Sequence, residues 1–183
     1  KRQIKFGQLL STRTDVLPQT YTFELQKLTD SCKPFEGEEA LEIFKRSITN
    51  EQFKKIKNFE LKPLASASLA QVHTANLIEN NQEIVIKILR PNISKKVNSN
   101  IKLLKLFAFF VKVLFKDSYR LKINQVVNDY ERTILKEIDL RLEANNTIQT
   151  RENFLDSNLL YIPKVYKEFT SKNILVMERI YGT

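Results

Sequence analysis

Lys87 lies within the run Glu83 to Leu89 (EIVIKIL), where Ile84, Ile86 and Ile88 alternate with Val85, Lys87 and Leu89. A period of two predicts a strand with the isoleucines on one face and Lys87 on the other. An ammonium on so stiff an element can grip a phosphate as a point charge, although a mid-strand lysine can also serve only to blunt a sheet edge. The stretch Leu64-Ala65-Ser66-Ala67-Ser68-Leu69-Ala70 offers small side chains, two hydroxyls and successive N–H groups. Such a loop lets a backbone approach anionic oxygens, and small residues equally suit a plain hairpin. Alanine resists positive φ, so this loop is stiffer than a glycine-rich one.

Two further groups could take part. In Lys136 to Asn146 (KEIDLRLEANN), Glu137 and Arg141 are spaced as an i,i+4 helix pair worth ~0.3–0.5 kcal/mol. Asp139 and Glu143 share that spacing but repel, unless a cation such as Lys87 or a metal lies beside them or both point into water. At Lys5-Phe6-Gly7-Gln8, Lys5 and Gln8 share a helical face at i,i+3, which alone reads as a basic helix start. His73 stands in a strand-like run with no acid nearby and is read as structural. Cys32 has no basic partner in sequence and is assigned no reactivity.

These groups need elements to position them. Helical periodicity covers Tyr21 to Leu28 and Ala40 to Ile48, punctuated by Pro18, Pro34 and Gly37. Strand-like runs follow at Phe59 to Leu64, Gln71 to Leu77 and Glu83 to Leu89, with a turn at Glu79 to Gln82. Helical patterns return from about Ile93 to Lys116 and from about Asn124 to Asn153. Tyr161 to Tyr166 and Asn173 to Ile180 are again strand-like. Helices, three strands, helices and two strands predict an α+β fold with an antiparallel sheet of about five strands.

Composition removes several chemistries. The 183 residues include three glycines, one histidine and one cysteine. Glycine-rich nucleotide fingerprints, paired-histidine zinc sites and disulfides are therefore excluded, and no metal site is expected. A single free thiol reads as a reducing compartment. The longest apolar run, Leu106 to Val111, falls far short of the ~20 residues a spanning helix needs. The formal charge of +9 is concentrated between Ile84 and Lys122, where ten basic residues face one acid, Asp117. In the Ile93 to Lys116 pattern, Lys95, Lys102, Lys105, Lys112 and Lys116 fall within a sector of about 100°. Leu103, Leu106, Phe107, Phe110, Val113 and Leu114 occupy much of the rest of that wheel. Core packing accounts for the wheel first and contact with anionic lipid second. Without a reader motif, the basic surface predicts no specific nucleic-acid partner.

Taken in order, the segments resemble the UbiB-type atypical kinase-like family, whose members support ubiquinone biosynthesis. The residues carrying the resemblance are KFGQLLSTR at 5–13, LKPLASASLAQVHTA at 61–75, VIKILRP at 85–91, KEIDLRLEANN at 136–146, YIPKVY at 161–166 and LVMERIYG at 175–182. The resemblance implies a kinase-like N lobe over 58–183, after a helical extension over 1–57 that carries the Lys-x-Gly-Gln motif. Ala65, Ser66, Ala67 and Ser68 would form an alanine-rich loop in place of a glycine-rich one, and Lys87 would hold the phosphates of ATP. Glu143, with Glu137 as the alternative, would be the acidic partner of Lys87. Glu137 and Asp139 would form a Glu-x-Asp pair that meets Lys5, with Gly7 and Gln8 lying across the site. Met177 would be the gatekeeper, and Glu178 to Ile180 the hinge that addresses adenine.

A second lobe carrying the catalytic base and the magnesium ligands would follow Thr183, so the chain alone is expected to be inactive. The implied partners are a nucleotide, an anionic membrane surface and ubiquinone-pathway proteins or lipids. The implied location is the cytoplasmic face of the inner membrane, with the anchor outside these residues. A non-enzymatic lipid- or quinone-handling module that uses the basic helix 95–116 is the rival reading.

Overall fold

A computed structural model describes residues 33–114, 123–157 and 159–181. The chain divides between Ile88 and Leu89 into two compact units, residues 1–88 and 89–183.

The amino-terminal unit begins with α1 (Gly37–Ser47), which has Glu38 and Glu39 in its first turn and Lys45 and Arg46 in its last, as the helix dipole favours. Ala40 and Phe44, one turn apart, are its buried residues. A second short helix, α2 (Asn50–Phe53), starts at a capping box in which the Thr49 hydroxyl accepts from Gln52 N–H and the Gln52 side chain accepts from Thr49 N–H. Strands β1 (Ile56–Lys57), β2 (Ala65–Ser66), β3 (Ala70–Leu77) and β4 (Glu83–Leu89) follow. β1 and β2 both pair antiparallel with β3, and β4 lies on the other side of β3.

The predicted strand over 59–64 is not regular. Ile56 pairs with Leu77 and Ala65 with Val72, so nine steps along this edge oppose five along β3. The surplus is taken up by bulging: Asn58 adopts a positive φ of 54°, and Pro63 has no N–H to give. The segment still follows β3 through Glu60 N–H to the Thr74 carbonyl (2.9 Å) and Leu64 N–H to the Val72 carbonyl (2.8 Å).

His73 pins this bulged segment and is structural, as its sequence context predicts. Gln71 is oriented by the Phe35 main chain, accepting from Phe35 N–H at 3.1 Å and donating to the Phe35 carbonyl at 3.2 Å. Its amide nitrogen therefore donates to His73 Nε2 at 2.8 Å, which leaves Nδ1–H to donate to the Glu60 carbonyl, also at 2.8 Å. Phe59 stacks on the imidazole at 5.0 Å, and Phe44 stacks on Phe59 at 5.9 Å. Burial lowers the His73 pKa below 6.5, the hydrogen bond to Glu60 opposing it in part.

A histidine held neutral contributes its stability above its unfolded pKa and loses it as pH falls through 6.5 toward the folded value. The thermal midpoint should therefore be level above about pH 7 and decline on acidification, with a shallower decline in His73→Asn. Parallel slopes for the two proteins over that window would refute the neutral assignment.

The carboxy-terminal unit holds α3 (Ile93–Leu114), α4 (Ile123–Glu137), α5 (Leu140–Asn153), a 3-10 turn at Lys167–Phe169 and β5 (Ile174–Glu178). β5 brings the sheet to five strands, so the predicted α+β fold with an antiparallel sheet is the one observed. The run 161–166 contributes only a bridge between Val165 and Met177 rather than a strand. α3 packs on α4, and α5 packs against both α4 and β5. The single helix predicted over 124–153 is broken at Ile138 and Asp139. Asp139 is extended there (φ −126°, ψ 93°) and caps α5 by accepting from Arg141 N–H.

Candidate functional site

Along β4 burial alternates as the sequence predicts: Ile84, Ile86 and Ile88 are fully buried, while Val85 and Lys87 lie half-buried on the opposite face. Hydrophobic burial of three isoleucines locks the register, because a one-residue slip would bury Lys87 in their place. At the far end of the hairpin Leu77 N–H donates to the Gln82 carbonyl at 2.9 Å, and Asn81 supplies a positive φ of 55° in the turn. Carried along the ladder from that bond, the register brings Val72 opposite Lys87. Val72 is also the partner of Ala65. Directly opposed residues project to the same face. Ala65, Val72 and Lys87 thus stand in a row across three strands, with the outer two about 10 Å apart by strand spacing.

The alanine-rich segment is less of a loop than predicted. Ala65 and Ser66 are strand, and Ala67 N–H closes a tight turn on the Ala70 carbonyl at 2.8 Å. Only Ser68 and Leu69 make the bend. Neither has a positive φ, in keeping with a turn built without glycine. The result is a short, stiff hairpin of small side chains ending on the sheet face that carries Lys87. Val72 is the member of this row that sequence reasoning did not single out. The period-two pattern of 71–77, joined to the four-residue turn before Gln82, held the signal.

In the carboxy-terminal unit, Glu137 closes α4 and Glu143 lies half-buried in the first turn of α5. The helix breaks at Ile138 and Asp139, so Glu137 and Arg141 belong to different helices and Asp139 stands at the N-cap of α5 rather than one turn before Glu143 within it. Arg141 instead grips Asp139, with Nε at 2.9 Å from Oδ1 and Nη2 at 2.6 Å from Oδ2. Those bonds hold the Asp139 carboxyl below its ordinary pKa, with a smaller contribution from the charge of Lys172. The cation beside Asp139 is its own near neighbour, Arg141. Glu137 acts on Tyr130, whose hydroxyl is pushed up first by burial and then by that carboxylate.

Met177 and Glu178 end β5, and Ile180 follows as an exposed residue. Glu178 N–H donates to the Lys164 carbonyl at 2.8 Å, and its carboxylate accepts from Lys164 N–H at 3.2 Å and from the Tyr161 hydroxyl at 2.7 and 2.8 Å. These bonds tie the end of β5 to the segment before the 3-10 turn. Lys5, Gly7, Gln8, Cys32, Lys116 and the helical pattern over 21–28 lie outside the described residues.

Comparison with known proteins adds an independent line. The ABC1 atypical kinase-like domain matches residues 27–183. A protein named probable protein kinase UbiB from Erwinia tasmaniensis is 45% identical over 179 residues, covering 98% of this chain and 33% of its own length. Proteins of the same name from an Enterobacter species and from Vibrio vulnificus are also 45% identical, with the same coverage. The chain spans about a third of the length of these relatives. With a lysine strand, a glycine-free hairpin and a domain match over most of its length, the chain belongs to the ABC1 atypical kinase-like family.

Proposed function

We propose that this chain is the nucleotide-binding lobe of a UbiB-like atypical kinase or ATPase that supports ubiquinone biosynthesis at the cytoplasmic face of the inner membrane. The row Ala65, Val72 and Lys87 supports it most directly. A half-buried ammonium beside an apolar valine and a methyl-lined hairpin suits a nucleotide, which needs a cation for its phosphates and a low, flat surface for the rest. Lys87 would hold the phosphates, and Ala65 to Ser68 would lie over them as a stiff cover. Met177 and the backbone of Glu178 to Ile180 are the hinge in this reading, and Glu143 is the acidic residue assigned to Lys87. ATP would supply a transferable phosphoryl group, with its magnesium held by residues outside this chain.

Nucleotide-dependent thermal stabilisation of the full-length protein tests the assignment, because a ligand that binds only the folded state raises the midpoint with its concentration. Lys87→Ala should require at least about tenfold more ATP for the same rise, equivalent to ~1.4 kcal/mol of binding. Equal shifts in the two proteins would overturn the reading.

A further inference from the structure

We propose that the outward face of α3 docks onto the surface of an anionic lipid bilayer. Of the apolar residues predicted to pack in the core, Leu103, Phe107, Phe110 and Leu114 are 64, 64, 50 and 70% exposed. Leu106 and Val113 are exposed as well. The face turned to the rest of the unit is instead Val97, Ile101 and Ala108.

At about 100° per residue the helix has three distinct sides. The buried side is one. A lysine side holding Lys95, Lys102, Lys105 and Lys112 adjoins it and includes the exposed Phe109, while the fifth lysine, Lys96, lies at the amino-terminal end of the third side. Leu103, Leu106, Phe107, Phe110 and Leu114 make the third, an apolar sector of about 100° running for some 18 Å of axis. Burial of Val97, Ile101 and Ala108 sets the rotation of α3 and so the outward aim of that sector, with Lys105 paired to Glu131 of α4 at 2.5 Å. Scattered exposed leucines are ordinary, whereas an unbroken stripe of this kind marks an interaction surface.

Charge decides the occupant. α3 carries five lysines and no acid. A second copy would set lysine sides against one another, and the apolar sector is wider than the a/d seam by which two helices pair. A bilayer surface rich in anionic headgroups answers both features: the aromatic and aliphatic side chains enter the headgroup boundary while the lysines meet phosphates. No described helix is long and apolar enough to cross a membrane, so α3 would lie on the surface rather than span it.

The chain itself contains no tryptophan, so in the full-length protein the difference between Phe107→Trp and the unsubstituted protein reports on this face. With vesicles of phosphatidylglycerol and phosphatidylcholine, its emission should move to the blue and be quenched by brominated acyl chains. With phosphatidylcholine alone binding should be weaker, and added salt should weaken it in the anionic case. Introducing Leu103→Ser, Phe110→Ser and Leu114→Ser together should reduce vesicle affinity at least about tenfold, and Lys102→Glu about fivefold. The thermal midpoint should stay unchanged, since all these side chains are exposed. Unaltered emission with anionic vesicles, or equal binding by the triple variant, would overturn the proposal. So would a concentration-dependent dimer abolished by the triple variant in the absence of vesicle binding, which would assign the face to a second copy. Each outcome is independent of whether nucleotide binds beside Lys87.

Discussion

Phe44→Ala should remove about 3–5 kcal/mol of folding stability, the usual range for deleting a fully enclosed aromatic ring. Phe44 is completely buried. It meets Phe53 edge-on at 6.1 Å and stacks on Phe59 at 5.9 Å, and Phe59 in turn covers the His73 ring. Its removal therefore opens a void beneath the segment that must bulge to follow β3. The loss comprises the transfer energy of the ring, the aromatic contacts, and the support under a histidine whose hydrogen bonds tolerate little movement. Urea unfolding at pH 7.5 measures it directly. A loss under about 1 kcal/mol would mean that α1 collapses into the space, and that the stacked column is not the core of this unit.

Gly37→Ala should cost about 1–3 kcal/mol, although alanine is the better helix former and Gly37 opens α1. The difficulty is space. A Cβ at position 37 would stand 2.2 Å from the Leu61 carbonyl oxygen and 2.8 Å from its carbon. These are backbone atoms and cannot swing aside as a side chain tip would, so either α1 or the bulged segment must move. That movement would be carried toward β3, because Glu60, next to Leu61, is hydrogen-bonded to both Thr74 and His73. A companion substitution at an exposed position of the same helix, Glu38→Ala, carries no such clash and should change stability by no more than about 0.5 kcal/mol. Thermal unfolding of the pair separates the effects: similar midpoints for both variants would show that the close approach is not a constraint.

Much of the hairpin that carries Lys87 was legible from residue order. The alternation in 83–89 told which face Lys87 takes, since burying three isoleucines outweighs every other register. The two asparagines before Gln82 marked the turn, because asparagine tolerates positive φ. Absence of glycine from 64–70 foretold a hairpin confined to ordinary backbone angles. Lys87 and the alanine-rich segment could thus each be named before any coordinates, while Val72 needed the register to be worked out across both.

Other features depended on contacts that no local pattern carries. KEIDLRLEANN has unbroken helical periodicity, yet Asp139 gains more as an N-cap gripped by Arg141 than as one of two repelling carboxylates, and Leu140 N–H finds the Lys172 carbonyl at 3.0 Å. The run 59–64 alternates like a strand, but its surplus over β3 can be counted only once both pairings are known. α3 is amphipathic in two directions, and a helical wheel cannot say which apolar side the fold will use.

Sequence by itself determined the fold class, the sheet face on which the lysine lies and the chemistry open to it, because backbone period and side-chain type act locally. Tertiary structure alone decided which carboxylate meets which cation, how His73 is kept neutral, and which side of α3 is buried. Those outcomes follow from distances between residues far apart in the chain, and they are settled only when competing burials are resolved together.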